Sequence, residues 1–346
     1  MPEALPDARR LGEIVDAMAG QPVLICADLV ADRFIHGSPK RISREAPVLI
    51  LRHDKDVFVP GGGANAVANV AALGGRPLTL GAVGDDESGR ALTRAFTEMG
   101  VATDGVATLE GYRTPTKVRI LGGGKHSIKQ QIVRYDVEDE IGDVGDLAAK
   151  HSGTLAGWRG QARVAVLSDY GYGGVTPERV DELRDHLAPE SIVLCDSRYR
   201  LGEYAGVDGA TPNEEEAETI AGTSFNDDGA ALVAAGQRLR SELGARFLLI
   251  TRGSLGMSLF EDGRIAHVPT HGGDQVADVT GAGDTVIGAF ALALAAGATP
   301  VEAALLANYA GGIVVHKLGT ATATPQELTA ALADGMPLEG VRWEES

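Results

Sequence analysis

Short apolar runs recur along the chain, and helical patterns of apolar positions lie between most of them. The runs cover residues 22–28, 76–86, 163–171, 191–198 and 246–253. A continuous apolar run between helices is typical of a strand buried on both faces, so the pattern predicts a mainly parallel sheet with helices on either side. The segments with helical spacing are 64–73, 88–99, 228–243, 283–296 and 301–318.

Two stretches, 33–61 and 112–136, alternate polar with β-branched residues instead. This alternation predicts partly exposed antiparallel strands, and we expect them to form a small β-sheet that projects from the core as a lid. The lid is inserted in a single predicted domain, residues 1–338, which a short acidic tail, 339–346, follows. Exposed edge strands with apolar residues, such as those at 48–51, need cover, so we also expect a homodimer through the lid.

Composition and charge narrow the classes of partner. The chain has 346 residues, 44% of them hydrophobic, and its 31 basic and 48 acidic residues give a net charge of −17. An acidic protein of this kind is a poor match for nucleic acid or an anionic membrane. The N-terminus is charged, and no apolar run reaches the roughly 20 residues of a membrane span, so we expect a soluble cytoplasmic protein. Cys26 and Cys195 lie in apolar runs, which predicts buried thiols.

Polar residues follow the predicted strands at the point where each strand ends. Asp28, Asp85, Asp169, Asp196 and Arg252 all occupy such positions. Ligands of open α/β sheets bind outside the carboxyl ends of the strands, so these residues mark the predicted active site.

The segment DVTGAGD, residues 278–284, opens a long helix of small residues. The free N–H groups at the start of a helix bind anions, so Gly281, Ala282 and Gly283 are candidates to hold a phosphoryl group. An acid inside an anion site repels that ligand unless it has a chemical role, and for Asp284 that role is a general base that deprotonates an attacking hydroxyl. The alternative is that Asp284 merely stabilises the first helical turn.

The segment GGGANA, residues 61–66, is a second glycine-rich helix entry with three open interpretations. Gly61, Gly63 and Ala66 fit the dinucleotide fingerprint G-x-G-x-x-A, and Asp86 follows at about the distance expected of the ribose acid. Against this, the fingerprint belongs to the first strand–helix unit, and an earlier strand is predicted at 23–26. Asn65 could instead direct its amide at a polyol substrate, or the glycines could form a plain tight turn.

The segment TPNEEEAE, residues 211–218, places Asn213 and Glu216 three residues apart at a helix start. The pair could hold a hydrated Mg²⁺, which meets proteins through one or two carboxylates. It could equally be a capping box, because this spacing is common at helix N-termini.

In this order, GGGANAVANVAALGG, GAVGDDESGRAL, TPNEEEAE, TRGSLGM and DVTGAGD resemble the ribokinase/PfkB family of carbohydrate kinases over residues 20–330. Within that family, CADLVADRF, RISREAP, QQIVRYD, LSDYG and VVHKLGTAT are similar to bacterial heptose 7-phosphate kinases. The resemblance implies an α/β fold with a ribokinase-like three-layer α/β/α core and a β-sheet lid. Those kinases are often fused to a nucleotidyltransferase, but no H-x-G-H motif is present, so we expect the kinase domain without it.

The resemblance also implies a role for each matching residue. Asp284 would be the base, and the amides of Gly281 to Gly283 the anion hole. The residues implied for substrate binding are Asp28, Asp32, Gly62, Gly63, Asn65, Arg134, Asp169 and Arg198. Those implied for ATP binding are Asn213, Thr251, Arg252, Gly253, Gly256 and Asn308. Asn213 and Glu216 would support Mg²⁺ through water. The backbone near Asp278 and Thr280 and near residues 314–320 would hold a monovalent cation such as K⁺.

The implied reaction is phosphoryl transfer from ATP to a sugar hydroxyl, the anomeric hydroxyl of heptose 7-phosphate by analogy. Three residues depart from the pattern of those relatives and leave the identity of the sugar open. Tyr172 and Arg198 stand where the relatives have lysines, and Ser197 stands where they have proline. The alternatives are another PfkB-type kinase acting on ribose, fructose or a nucleoside, an NAD-dependent oxidoreductase built on GGGANA, and a non-catalytic sugar sensor.

Overall fold

The computed structural model describes residues 6–124, 129–142, 144–225, 229–272, 276–333 and 340–345. Ten strands of this part of the chain form the main sheet: β1 Pro22–Ala27, β4 Arg76–Gly84, β5 Val106–Leu109, β8 Val164–Asp169, β9 Ile192–Ser197, β10 Gly209–Ala210, β11 Phe247–Thr251, β12 Met257–Glu261, β13 Arg264–Val268 and β14 Arg342–Glu345. The smaller sheet, which we call the lid, contains β2 Leu29–Ile42, β3 Leu49–Gly62, β6 Thr116–Gly122 and β7 Gln130–Val137.

The α-helices of the described residues are α1 Ala8–Ala17, α2 Gly63–Ala72, α3 Glu87–Glu98, α4 Val144–Trp158, α5 Arg179–Arg184, α6 Glu214–Ala221, α7 Gly229–Leu243, α8 Ala282–Ala295, α9 Pro300–Val314 and α10 Pro325–Ala333. Two short 3-10 helices lie at Leu201–Glu203 and Gly253–Leu255. No helix in these ranges combines the length and the apolar composition that crossing a lipid bilayer requires.

The main sheet is parallel over most of its width, as predicted. Its strand order is β14-β13-β12-β11-β10-β9-β8-β1-β4-β5, and the pairs from β11 to β5 are all parallel. The pairs between β11 and β14 are antiparallel. Of these, β12 and β13 form a hairpin with a tight turn at Asp262 and Gly263. Residues 342–345, part of the predicted acidic tail, form β14 at the edge of this sheet.

The central strands are buried on both faces, and this produces three layers. In β1, Val23 and Ile25 pack into one apolar core and Leu24 and Cys26 into the other. Helices α1, α2, α3, α8, α9 and α10 contribute to the first core, and α4, α5, α6 and α7 to the second. Cys26 and Cys195 are free, buried thiols. The predicted ribokinase-like α/β/α core is therefore confirmed.

The lid begins where β1 ends, at the carboxyl edge of the main sheet. Its strand order is β3-β2-β6-β7. The expectation that all its strands are antiparallel is wrong for one pair: β2 and β6 run parallel. Both strands lead away from the main sheet, β2 after β1 and β6 after β5, whereas β3 and β7 lead back toward it. The two outgoing strands lie side by side and therefore run in the same direction.

Helix α9 ends at Val314 rather than at the predicted residue 318. The carbonyl of Val315 accepts the N–H groups of Ala277 and Asp278, at 2.8 and 3.1 Å. The residues after α9 therefore lie beside the segment that leads into α8, and they form part of the site described next.

Candidate active site

Two adjoining cavities open at the carboxyl edge of the main sheet, where the site was predicted. The first, of about 510 Å³, lies between the strand ends, the lid and the start of α8, and its wall is polar; we call it the sugar-side cavity. The second, of about 340 Å³, lies between the 3-10 helix at 253–255 and helices α8 and α9. Thr251, Val279 and Gly283 belong to both walls, so the two cavities meet at the N-terminus of α8.

Asp284 lies at this junction, in the first turn of α8, and is only 3% exposed. One carboxylate oxygen, Oδ1, accepts the hydroxyl of Tyr170 at 2.6 Å. The other, Oδ2, accepts Nδ2 of Asn65 at 3.1 Å. Asn65 is itself held by Asn69, whose amide donates to its side-chain oxygen at 3.2 Å. The carboxylate is thus fixed by donors from two other elements.

Burial raises the pKa of Asp284 to about 6. The hydrogen bonds from Tyr170 and Asn65 and the positive charge of Lys117 oppose this rise, while the charge of Asp32 adds to it. A carboxylate that titrates near neutral pH is suited to accept a proton from a hydroxyl. The alternative role, a stabiliser of the helical turn, does not account for this degree of burial.

Gly281 is the residue before α8, and its backbone requires glycine. Its φ is 78°, and a Cβ there would lie 2.4 Å from Nδ2 of Asn65. The N–H of Gly283 belongs to the first turn of the helix, where an amide has no carbonyl partner within the helix, and Gly283 is exposed to the cavities. Ala282 differs from the expectation, because its N–H already donates to the carbonyl of Val279 at 3.2 Å.

The glycines of residues 61–63 serve close packing at the base of the lid. A Cβ on Gly63 would lie 2.7 Å from Cβ of Ala27, and one on Gly62 would lie 2.8 Å from the side chain of Val30. Gly61 and Gly62 are the last residues of β3, an antiparallel lid strand, and Gly63 is the first of α2. They therefore do not follow a parallel strand of the main sheet, as the turn of a dinucleotide fold does. Asp86, the candidate ribose acid, instead caps α3 through the N–H of Gly89 at 2.7 Å.

The lid contributes positive charge to the sugar-side cavity. Lys117 and Arg119 are two apart on β6, so they lie on one face of the lid. Arg119 donates to the buried carboxylate of Asp32 at 2.7 Å. The ammonium of Lys117 lies 4.9 Å from the ring centroid of Tyr170. Burial lowers the pKa of Lys117, and the nearby carboxylates of Asp32 and Asp284 oppose that change.

Arg134 and Arg198 complete the set of cationic side chains that line this cavity among the described residues. Arg134, on β7, pairs with Asp136 through two hydrogen bonds of 2.8 and 2.6 Å. Arg198 is exposed, and its guanidinium lies 5.8 Å from the ring of Tyr199. Tyr172 donates its hydroxyl to Glu138 at 3.1 Å. The sugar-side wall thus alternates cations with acids.

Asp28 and Asp169 follow buried strands as predicted, but their carboxylates point into the protein. Asp28 accepts the backbone N–H groups of Tyr170, Tyr172 and Gly174, at 2.9 to 3.0 Å. Burial raises its pKa to about 6, and these hydrogen bonds oppose the rise. Asp169 accepts four hydrogen bonds, from Ser197, Gly171, Arg200 and Tyr204. Neither carboxylate lines the cavity; the two shape the loop that carries Tyr170.

Asn213 and Glu216 form a capping box at the start of α6. Oδ1 of Asn213 accepts the N–H of Glu216, and Oε2 of Glu216 accepts the N–H of Asn213, each at 2.9 Å. Both residues also line the sugar-side cavity, beside Asp196. Burial raises the pKa of Glu216, and it raises the pKa of Asp196 well above its ordinary range, with Glu216 and Asp284 adding to the second effect.

The second cavity gathers most of the residues assigned to ATP. Thr251, Gly253, Gly256 and Asn308 line it, together with apolar side chains such as Val286. Asn308 is held by a 2.8 Å hydrogen bond to the carbonyl of Pro269. Arg252 is not on this wall: its guanidinium lies 3.5 Å from the carboxylate of Glu214, at the start of α6.

Asp278 joins the two chain segments that were expected to hold a monovalent cation. Its carboxylate accepts the N–H of Thr280 at 2.9 Å and that of Gly319 at 3.0 Å. These bonds outweigh the opposite effect of burial and lower the pKa of Asp278. The hydroxyl of the neighbouring Thr320 is buried without a hydrogen-bond partner.

Sequence reasoning gave no role to Tyr170, Lys117 or Arg119. The alternation of β6 placed both cations on one face, but it did not say which face meets the core. Tyr170 had no local signal, because its partner Asp284 is 114 residues away in the chain.

A family model described as pfkB family carbohydrate kinase matches residues 24–139 and 180–327. Among curated proteins, the bifunctional protein HldE of Mesorhizobium japonicum is 38% identical over 336 residues, which is 94% of this chain and 65% of that protein. The chain therefore spans somewhat less than two thirds of that relative.

Two solved structures show the same fold. A ribokinase of Arabidopsis thaliana, complexed with ribose and ATP, has a TM-score of 0.69 and 21% identity, covering 91% of this chain and 99% of its own. Phosphofructokinase-2 of Escherichia coli, in complex with substrates and products, has a TM-score of 0.69 and 19% identity with the same coverage.

The buried carboxylate predicts a pH-dependent stability. Because the folded pKa of Asp284 is about 6 against an ordinary value of 3.8, the folded chain keeps a proton that the unfolded chain releases in this range. The contribution of Asp284 to stability is thus greatest below pH 4 and falls by up to about 3 kcal/mol as the pH rises past 6. Asp284→Asn removes this contribution, so its free energy of unfolding should rise relative to wild type between pH 4 and pH 7, as measured by urea denaturation.

Asp262→Asn is the matched control, because the Asp262 side chain is fully exposed. Its difference from wild type should not change over the same range. Asp28 is present in both proteins, so its own pH dependence cancels in the comparison. A difference between Asp284→Asn and wild type that is the same at every pH would contradict the prediction.

Proposed function

This chain belongs to the pfkB family of carbohydrate kinases, and we propose that it transfers the γ-phosphoryl group of ATP to a hydroxyl of a phosphorylated sugar, heptose 7-phosphate or a close relative. The observation that carries the proposal is the position of Asp284. It is a buried acid at a helix N-terminus, at the junction of a polar cavity lined by cations and a more apolar cavity. A base, an anion site and two ligand cavities are the parts that phosphoryl transfer requires.

Asp284 acts as the general base in this proposal. Each carboxylate oxygen can accept two hydrogen bonds, so the contacts with Tyr170 and Asn65 leave room for the acceptor hydroxyl. The hydroxyl oxygen forms a bond to the γ-phosphorus, the bond from that phosphorus to the bridging oxygen of ADP breaks, and the hydroxyl proton goes to Asp284. The N–H of Gly283, with the dipole of α8 behind it, stabilises the negative charge on the transferring group.

A phosphate on the substrate accounts for the cations on the sugar-side wall. The chain carries a net charge of −17, so an anionic ligand needs local positive groups. Asp32 and Asp136 already pair with Arg119 and Arg134. Lys117 and Arg198 have no such carboxylate partner within 4 Å among the described residues, and they support binding of a sugar phosphate.

The residues present fit a hydrated Mg²⁺. Glu216 and Asp196 line the same wall. Burial raises the pKa of Asp196, and repulsion from Glu216 adds to that rise. A cation between the two carboxylates would relieve the repulsion. Within the described ranges no three acidic, histidine or cysteine side chains come together as a metal cage, and Mg²⁺ usually keeps several waters. When bound, it would neutralise charge on the ATP phosphates.

We also propose a binding site for the nucleotide and one for a monovalent cation. The partly apolar cavity of Thr251, Gly256 and Asn308 suits a nucleobase. It meets the sugar-side cavity at Gly283, where the phosphates of the nucleotide would lie. The segments tied together by Asp278, with the unpartnered hydroxyl of Thr320, support a K⁺ site beside the N-terminus of α8.

The family assignment overturns the oxidoreductase hypothesis, and the fold gives the reason: GGGANA spans the end of an antiparallel lid strand and the start of α2. The retained base argues against a sugar sensor. Kinases for ribose, fructose or a nucleoside stay open as alternatives, because Tyr172 and Glu138 form an uncharged and a negative part of the wall.

The first test is ADP formation with Mg²⁺ against heptose 7-phosphate, fructose 6-phosphate, ribose, fructose and a nucleoside. We expect turnover with a sugar phosphate, and Asp284→Asn should lower kcat by roughly 10²- to 10⁴-fold, the usual contribution of a general base. Asp262→Asn should behave as wild type. Turnover confined to unphosphorylated acceptors would contradict the proposal of a phosphorylated substrate. A fully active Asp284→Asn protein would contradict the proposal that Asp284 is the base.

The second prediction concerns Lys117. Lys117→Met should raise KM for the sugar phosphate about tenfold or more, because a charge-assisted contact to phosphate is lost. Measured at pH 8, where Asp284 is ionised, the change should be much smaller for any unphosphorylated acceptor. Lys129→Met is the control, because Lys129 is also on the lid but binds Asp54 outside the cavity. Equal losses for both acceptor types would argue against a phosphate contact.

We also propose a homodimer through the lid. Apolar side chains on its strands and hairpin are exposed, including Ile42, Val48, Leu49, Ile132 and Val133. Light scattering at micromolar concentration should give twice the chain mass of 35.9 kDa. Val133→Asp should give a monomer, whereas Met99→Asp, at a residue of similar exposure (44% against 46%) outside the lid, should not. A monomeric wild type would refute the proposal.

A further inference from the structure

Tyr170 lies against the base in the sugar-side cavity. Its hydroxyl donates to Oδ1 of Asp284 at 2.6 Å, while Nδ2 of Asn65 donates to Oδ2 at 3.1 Å. The two donors come from the loop after β8 and from α2, and together they engage both oxygens of one carboxylate. A carboxylate held at both oxygens cannot rotate freely about its χ angles.

The position of the phenol is itself fixed by several elements. The backbone N–H of Tyr170 donates to Oδ2 of Asp28 at 2.9 Å. The ring lies 4.9 Å from the ammonium of Lys117, and a Cβ on Gly62 would approach the ring to 3.4 Å. The buried carboxylates of Asp28 and Asp169 therefore set the loop, and the loop sets the hydroxyl.

We propose that Tyr170 is a positioning residue for the base: its hydroxyl orients the carboxylate of Asp284 toward the acceptor hydroxyl and favours the ionised form. This inference rests on the proposed function, since it requires Asp284 to act as the base. It also gives a purpose to the hydrogen bonds at Asp28 and Asp169, whose carboxylates do not reach the cavity.

The titratable groups around Asp284 come from four other elements. Tyr170 follows β8, Lys117 is on β6, Asp32 is on β2 and Asp196 is on β9. Burial raises the pKa of Asp284 to about 6; Tyr170, Asn65 and Lys117 lower it, and Asp32 raises it. Asp196 and Asp284 repel each other. Burial also raises the pKa of Tyr170 well above its ordinary value, with Asp284 adding to the rise, so the phenol remains a donor throughout the working pH range.

The test is the pH dependence of kcat/KM, whose acidic limb reports the base of the free enzyme. Tyr170→Phe keeps the ring and removes only the hydroxyl. Without that donor the ionised carboxylate is less stable, so the acidic limb should move to higher pH by roughly one unit. Activity lost at pH 7 should then largely return above about pH 8. Replacing Tyr170 with 3-fluorotyrosine, a stronger donor of the same shape, should move the limb to lower pH.

Tyr112→Phe is the control, because Tyr112 is partly buried but lines neither cavity. Its acidic limb should match wild type. An unchanged limb in a folded Tyr170→Phe protein overturns the inference, and so does a loss that is equal at every pH. If thermal unfolding shows that Tyr170→Phe is not folded, the fluorotyrosine protein decides by the direction of its shift. An active Asp284→Asn would instead overturn the proposed base.

Discussion

The proposed reaction depends on keeping one carboxylate charged after it has been removed from water. Burial alone disfavours the ionised form of Asp284, and a neutral acid at this point could not take a proton. The surrounding elements supply the compensation: an amide from α2, a phenol from the loop after β8 and an ammonium from the lid. The absence of a side chain at Gly281 follows from the same requirement, because any Cβ there would displace Asn65.

The lid serves the site through its charge as much as through its cover. It begins directly after β1, and the glycines at its base allow close packing there: Gly63 of α2 lies against Ala27 of β1, and Gly62 of β3 lies against Val30 of β2. Its strand β6 then presents Lys117 and Arg119 to the cavity. The chain is strongly acidic overall, so the positive charge of β6 is needed for this wall of the cavity to attract an anion.

Much of the fold and the continuous motifs could be predicted, but the direction of individual side chains could not. Asp28 and Asp169 were placed correctly at strand ends, yet their carboxylates accept hydrogen bonds from the protein itself. Asp28 accepts backbone amides, and Asp169 accepts one backbone amide and three side chains. The rule for strand ends locates a residue on an edge of the sheet and says nothing about its rotamer. Asn213 and Glu216 are different. Their spacing predicted either a capping box or a metal site, and in the structure the two residues form the capping box and also line the cavity wall.

The sequence by itself determined what depends on neighbouring residues: the strands buried on both faces, the amphipathic lid, the glycine-rich start of α8 and the family motifs. These follow from side-chain periodicity and local backbone preference, which act over a few residues. Only the tertiary structure decided which side chains meet. Asn65 and Asp284 are 219 residues apart, and β2 pairs in parallel with β6 across an intervening crossover. Such contacts depend on how whole elements pack, and no local pattern encodes that geometry.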